Sequence, residues 1–368
     1  MKELQIKDIC SKGSSSLKQK DLHKHGKYPV YGASGIAGYL DSYHQENEYL
    51  AIVKDGSGIG RVTFNEPKTS VIGTMQYILP KKGYNIRYIG YCLQSLDLAN
   101  YRQGAAIPHI YFRDYGERVV RVTDDSAEQE RIVERLDAAF AQIDELKSNA
   151  EKQLAEARAL FQSALKKMLE PKEGWENDTL INVFNFIDYR GATPQKIQSG
   201  VPLVTAKNVK FGYIDYSIKD FISKEEYETR KGRGISRKGD LLFTTEAPLG
   251  NVAIADLEEF SAGQRLITLQ QYDNPKYEFI NEFYYYYMLS SPFQNRIMEL
   301  ATGATAQGIK AKLLKTIIVP IPTLSEQQSI VATLDFLKTN VNCLQENFIK
   351  ISQECDALKQ ALLRQIFE

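Results

Sequence analysis

Glu128-Gln129-Glu130-Arg131-Ile132-Val133-Glu134-Arg135-Leu136-Asp137 is met again, 198 residues later, as Glu326-Gln327-Gln328-Ser329-Ile330-Val331-Ala332-Thr333-Leu334-Asp335. Carried without a gap to Glu170 and Glu368, the two stretches agree at 15 of 43 positions, including Leu146/Leu344, Leu160/Leu358 and Leu165/Leu363. A repeat of this kind governs the architecture before any single element is assigned. The 368 residues therefore read as two units, each a globular segment followed by a long amphipathic run.

The second run places Ile330, Leu334, Leu337, Val341, Leu344, Phe348, Ile351, Cys355, Leu358 and Leu362 in alternating steps of four and three, with Ile366 four residues further on. That is the a/d spacing of a coiled coil over five heptads. The first run repeats it with Ile132, Leu136, Ala139, Ile143, Leu146 and Ala150, then Leu154, Ala157, Leu160 or Phe161, Leu165 and Met168. The additional four-step from Ala150 to Leu154 reads as a stutter. Neither run contains Gly or Pro. Thr123-Asp124-Asp125-Ser126 supplies a cap for the first helix, and Ser325, after Pro320-Ile321-Pro322, caps the second. Forty-three residues make about 65 Å of helix. Equal lengths and one continuous seam predict that the helices pair with each other, antiparallel because a whole domain separates them.

The expected organisation is a globular segment at 1–123, a long helix at 124–170, a second globular segment at 171–322 and a second long helix at 323–368. Each globular segment shows apolar strand–loop–strand pairs. Tyr49-Leu50-Ala51-Ile52-Val53 and Arg61-Val62-Thr63-Phe64 flank one loop; Asp240-Leu241-Leu242-Phe243-Thr244 and Asn251-Val252-Ala253-Ile254 flank its counterpart. Each also has an apolar helix, Ile86–Ser95 and the Tyr-rich 283–291, the latter expected to be an amphipathic core helix. The fold class is α+β: two globular domains and two long helices pairing as an antiparallel coiled coil, in a pseudo-twofold internal repeat.

Lys+Arg and Asp+Glu both number 46, a zero net charge that by itself speaks against a nucleic-acid binder. The balance is a cancellation. Residues 1–123 carry 17 basic and 11 acidic groups, whereas 124–170 carry 7 and 11. No apolar run is long enough to cross a membrane, and Met1–Asp8 lacks the apolar core of a secretory signal. Cys10, Cys92, Cys343 and Cys355 form no CxxC pair or disulfide framework, which fits a reducing cytoplasm.

Catalytic signatures fail one by one. Asp55-Gly56-Ser57-Gly58-Ile59-Gly60 is followed by a β-type run rather than the helix a pyrophosphate site needs, so a tight hairpin is expected. Asn274-Pro275-Lys276-Tyr277 lacks the second proline of an amino-methyltransferase loop. No phosphate-binding loop, nuclease triad or metal-ligand spacing is present, and His23-Lys24-His25 stands without further ligands. No catalytic residue and no metal site is expected.

The remaining pattern suits DNA. Residues 12–27 form a Lys- and Ser-rich loop with Lys18, Lys20, Lys24 and Lys27; residues 228–239 hold Arg230, Lys231, Arg233, Arg237 and Lys238 among glycines. Cations neutralise phosphates while glycines let backbone amides approach them. Groove-reading candidates are Lys54, Ser57, Arg61, Thr74, Gln76, Arg102 and Gln103 in the first domain. In the second they are Lys207, Asn208, Thr244, Thr245, Asn251, Gln264, Arg265 and Gln307.

Taken together these residues resemble the specificity (S) subunits of type I restriction–modification systems. The match is carried by Gly303-Ala304-Thr305-Ala306-Gln307-Gly308-Ile309, the strand Ile317-Ile318-Val319-Pro320-Ile321-Pro322, the helix start Glu326-Gln327 with Ile330-Val331, and Lys238-Gly239-Asp240-Leu241-Leu242. The first copy departs from it: Gly104-Ala105-Ala106-Ile107-Pro108-His109-Ile110 lacks the Thr-Gln turn, and Val120-Arg121-Val122-Thr123 lacks both prolines.

The resemblance implies two target-recognition domains, each reading half of an interrupted double-stranded DNA site. It implies long helices as the spacer, and docking to two methyltransferase (modification) subunits and to ATP-dependent restriction subunits. S-adenosylmethionine, ATP and Mg would sit on those partners, with no cofactor on this chain, in a bacterial or archaeal cytoplasm. Two other readings compete: a self-sufficient adenine DNA methyltransferase with fused recognition domains, and a non-DNA coiled-coil interaction protein.

Overall fold

In a computed structural model, residues 1–104, 108–303 and 307–368 are described. The turn segments Ala105-Ala106-Ile107 and Ala304-Thr305-Ala306, part of the quoted turn motifs, lie outside the described residues. The chain divides into two compact units, one of Met1–Glu151 with Asn347–Glu368 and the other of Lys152–Glu346. The division runs through both long helices, Ser126–Met168 and Leu324–Phe367.

In the first unit, Lys2–Gln5 pairs antiparallel with Val119–Val122, the strand that leads into the first long helix. A four-stranded sheet follows in the order Cys10–Ser14, Met75–Pro80, Tyr49–Val53, Val62–Asn65. A three-stranded sheet has Tyr28–Gly32 between Gly35–Leu40 and Ser70–Val71. Tyr49–Val53 is buried at every residue, as its unbroken apolar run requires of a central strand. Its link to Val62–Asn65 is the expected hairpin. Gly56, Gly58 and Gly60 all have positive φ, and a Cβ on Gly60 would lie 2.5 Å from the Ala99 backbone nitrogen, so the glycines serve the turn.

The second unit repeats this plan. Glu176–Thr179 pairs with Ile318–Ile321. The four-stranded sheet runs Phe184–Asp188, Leu266–Gln271, Leu241–Thr244, Val252–Ile254. The three-stranded sheet sets Val201–Val204 between Phe221–Ile222 and Ser261–Ala262. A short hairpin, Val209–Lys210 with Tyr213–Ile214, is added in this copy. Asp240, at the head of its strand, is buried and accepts from Arg237 N at 2.7 Å and Gln270 Nε2 at 2.8 Å. Burial pushes its carboxyl up to about 6.

The Glu-Gln start of each long helix has a structural cause. Gln129 is buried; its Oε1 accepts from Asn85 N at 2.6 Å, and its Nε2 donates to Gly83 O and Thr123 O. Gln327 does the same for Ile280 N (3.0 Å), Glu278 O and Pro322 O. One side chain thus ties the incoming strand, the long helix and the apolar helix together. The next repeated polar residue also acts in both copies: Tyr91 donates to Asp137, and Tyr286 donates to Asp335 at 2.5 Å.

Three expectations about the helices change. The second helix is capped by Thr323, whose Oγ1 and N engage Glu326, so its first residue is Leu324 and Ser325 lies inside. Leu146, Leu160 and Leu358 are 60%, 59% and 49% exposed and leave the pairing seam. The half-buried stripe in the first helix passes instead through Phe140, Lys147 and Phe161, which restores regular four-and-three steps across Ala150 and Leu154 and removes the stutter. Neighbours along a helix differ by about 100° in direction, so only one of Leu146 and Lys147 can face the partner.

Antiparallel pairing is found within each unit. In the first, Lys359 Nζ reaches Asp144 Oδ1 at 2.5 Å, and Lys147 lies 3.5 Å from Asp356. In the second, Arg158 Nη2 donates to Gln345 Oε1 at 2.9 Å. Of the other seam positions, Ile132, Leu136, Ile143, Ile330 and Leu334 are buried, and Leu337, Val341, Leu344, Phe348, Ile351 and Leu362 are half-buried.

The Tyr-rich helix, Asn281–Leu289, is buried all round rather than amphipathic. Each hydroxyl that emerges finds a different neighbour: Tyr284 donates to Pro320 O at 3.0 Å, Tyr285 to Gly212 O at 2.8 Å, and Tyr286 to Asp335. The hydrogen bonds made by Tyr284, Tyr285 and Tyr286 offset the cost of burying their hydroxyls. No helix among the described residues is long and apolar enough to cross a membrane.

Candidate nucleic-acid interface

The same hydrogen-bond frame stands at the end of the central strand in both domains. In the first, Lys54 N and Asp55 N donate to Thr74 O (3.0 and 3.2 Å), Lys54 O accepts from Ile110 N at 3.0 Å, and Gln103 and His109 exchange both backbone bonds. In the second, Thr245 N donates to Arg265 O at 3.1 Å, Thr245 O accepts from Ile309 N at 2.9 Å, and Thr302 and Gly308 exchange both bonds. Lys54 thus corresponds to Thr245, Asp55 to Glu246 and Thr74 to Arg265. Loops from three parts of each domain are joined by backbone bonds common to both copies, which leaves their side chains free to differ.

They do differ. In the first domain Lys54 is half-buried and Ser57, Arg61, Thr74, Arg102 and Gln103 are exposed around the frame. Leu17 O accepts from Gly73 N at 2.8 Å, which brings the segment of Lys18 beside Thr74. Lys20, Lys24 and Lys27 are exposed farther along this loop, with Lys27 Nζ 5.2 Å from the Tyr28 ring. Asp55 pairs with His109 Nδ1, and Gln103 Nε2 donates to Asp114 at 3.0 Å.

In the second domain a cleft of about 210 Å³ is lined by Thr193, Lys196, Thr205, Lys207, Gln264 and Arg265, among others. A second of similar size joins Arg190, Thr245, Glu246, Thr302, Gly308 and Lys310. Arg265 Nε lies 3.1 Å from Glu246 Oε1. Arg233 Nη1 donates to Arg190 O at 2.9 Å, which links the 3-10 turn Lys231–Arg233, continuing the helix Lys224–Arg230, to the second cleft. Gln307 is exposed beside Gly308.

Several residues chosen from the sequence brace the domains instead. Arg230 is buried, donating to Ser261 Oγ, Ala192 O and Ala262 O with its guanidinium 4.4 Å from the Tyr189 ring. Desolvation lowers its pKa, the opposite of what a phosphate contact does. Asn208 is buried, accepting from Thr205 and donating to Asp215 O and Ile218 O. Gln76 is buried and donates to Tyr115. Thr244 and Thr245 are buried at the strand end, and Asn251 Nδ2 donates to Val209 O at 2.9 Å. Lys231 and Lys238 are exposed in part but paired, with Glu228 at 2.6 Å and Glu258 at 2.7 Å. Arg237 is largely exposed, 3.9 Å from Asp273.

Reading the sequence overlooked Asp55, His109, Glu246, Arg190, Lys196 and Lys310. Alignment of the two strand ends, Val53-Lys54-Asp55 against Thr244-Thr245-Glu246, carries the signal for the acidic pair; nothing local marks the others. Among the described residues no group of three His, Cys, Asp or Glu is placed to hold a metal ion.

Two copies of one α+β domain, each presenting a differently furnished loop frame and each closed by halves of two long helices, define a duplicated recognition scaffold. Residues 1–156 and 172–351 match the family model of the type I restriction modification DNA specificity domain, and the chain belongs to that family. It is similar to the type I restriction enzyme EcoBI specificity subunit of Escherichia coli, 24% identical over 271 residues, which is 66% of this chain and 56% of that protein. The MjaIX specificity subunit of Methanocaldococcus jannaschii is 30% identical over 156 residues, 40% of this chain and 34% of that one. The chain thus spans about half or less of the length of these relatives. A solved chain from a study of complex assembly and conformational transition of the type I R-M system has a TM-score of 0.72 at 17% identity, over 99% of this chain and 97% of that chain.

Proposed function

We propose that this chain is the DNA specificity subunit of a type I restriction–modification complex, in which each globular domain reads one half of an interrupted double-stranded site. The observation that carries this reading is the shared backbone frame with divergent side chains. A constant frame presenting Lys54, Arg61, Thr74 and Gln103 in one copy and Lys207, Gln264, Arg265 and Gln307 in the other suits two unlike half-sites. Family membership supports the same conclusion.

On this reading the chain performs no chemistry of its own. Two methyltransferase subunits dock on it and bring S-adenosylmethionine; restriction subunits bring ATP and Mg; the assembly works in the cytoplasm. The long helices set the spacing between half-sites. The globular segments 1–123 and 171–322 are the target-recognition domains. The test is footprinting of the chain with its methyltransferase partner on DNA that the complex methylates. Two protected blocks separated by an unprotected spacer are expected, and one continuous block refutes the reading.

A further inference from the structure

Arg265 occupies an unusual position in the cleft of the second domain. Its own carbonyl is fixed by Thr245 N, so the residue is anchored at the end of the central strand. Its side chain is 54% exposed and engages Glu246 Oε1 through Nε, at 3.1 Å. Among the described residues, neither Nη has a hydrogen-bond partner in the protein. With the carboxylate paired on its Nε side, the planar guanidinium leaves both Nη groups available as a fork. That fork matches the O6 and N7 acceptors on the major-groove edge of guanine.

The first domain lacks this device. At the matching backbone position stands Thr74, and the matching carboxylate, Asp55, is engaged by His109 from the opposite turn. Gly308, at the position of His109, has no side chain to compete for Glu246, which leaves that carboxylate to Arg265. We infer that Arg265 is a specificity-determining residue that reads one guanine in the half-site of the second domain, with Glu246 as its positioning residue. This deepens the DNA-reading proposal and rests on it.

The test uses the full chain assembled with its methyltransferase partner. Methylated motifs are mapped for the wild type, R265A, R265K and E246Q, and for R237A, an exposed cation outside the cleft, as a control. R265A is expected to relax one guanine position of a single half-site, with about 10- to 100-fold loss of discrimination there and the other half-site unchanged. R265K, without the fork, relaxes the same position, and E246Q does so more weakly. R237A lowers methylation evenly and relaxes no base. The wild-type complex is also tested on its own site with 7-deazaguanine placed at each guanine in turn. One position should be penalised, and R265A should abolish that penalty, a result independent of how stable the variant is. Even loss across the motif in R265A, or no position sensitive to 7-deazaguanine, overturns the inference while leaving the DNA-reading proposal intact. Absence of any interrupted motif for the wild type overturns both.

Discussion

The Gln129 side chain accepts the backbone N–H of Asn85 at 2.6 Å, and 198 residues later Gln327 accepts that of Ile280 at 3.0 Å. These bonds explain why the glutamine stands in both copies of the repeat. The glutamine satisfies backbone groups of two other segments that would otherwise be buried unpaired.

Replacing Gln129 or Gln327 by Leu keeps the volume and strands those groups. Each substitution should cost about 2–4 kcal/mol of stability, since several buried hydrogen bonds are lost together. Urea unfolding checks this; a loss below about 0.5 kcal/mol would show that water replaces the amide.

The seam gives a paired comparison. Ile143→Lys should destabilise by about 3 kcal/mol or more, because a charge is forced against the partner helix. Leu146→Lys, three residues on but 60% exposed, should stay within about 0.5 kcal/mol. Thermal unfolding of the two variants separates them, and equal losses would restore Leu146 to the seam.

The cations of the second domain divide into a brace and a surface. Arg230→Ala should lower stability by about 2–4 kcal/mol through its three lost hydrogen bonds. The double variant R233A/R237A should leave stability nearly unchanged. It should reduce the slope of log affinity against log salt by about 2, close to 0.9 for each phosphate contact. Binding titrations over a range of salt concentrations measure it; an unchanged slope removes both arginines from the phosphate contacts.

Asp240 predicts a pH effect of defined sign. Its carboxyl lies near 6 when folded, against about 3.9 in an unfolded chain, so the folded state binds the proton more tightly. Its contribution therefore falls as pH rises from about 4 to about 6 and is level above. Asp240→Asn, which can still accept from Arg237 N and Gln270 Nε2, should exceed the wild type by on the order of 1–3 kcal/mol at pH 7. The margin should close toward pH 4. A margin constant between pH 4.5 and 7.5 would contradict the buried-carboxyl account.

The long helices and the twofold order were legible because each rests on a pattern internal to the sequence: four-and-three spacing over five heptads, and a gapless self-match. The exact seam was less so. Leu146 competes with Lys147, and the four-and-three spacing favours the leucine; at the next such pair the spacing leaves Leu160 and Phe161 both open. The structure chooses Lys147, whose ammonium lies 3.5 Å from Asp356, a residue brought near only by antiparallel pairing.

The interface was legible in kind but not in detail. Arg, Asn, Gln and Thr are the residues that read bases, and they are also the residues that brace loops. Arg230 and Asn208 are braces because of Ser261, Ala262, Asp215 and Ile218, partners that no spacing rule supplies. Arg265 was singled out, but the reason for its position, Glu246, depends on a side chain that Gly308 omits.

Leu363 and Phe367 belong to the core of the first unit, where Phe367 lies 5.2 Å from Tyr88, ring to ring. During synthesis, the first 151 residues therefore leave the ribosome with one wall of their core missing. At 5–20 residues per second, making the intervening 195 or so residues takes roughly 10 to 40 s. Throughout that interval the apolar groove beside Tyr88 and Leu136 stands open to water. Of the two domains, the one made earlier is then the later to be finished, and translation speed through the other sets how long it is exposed to aggregation.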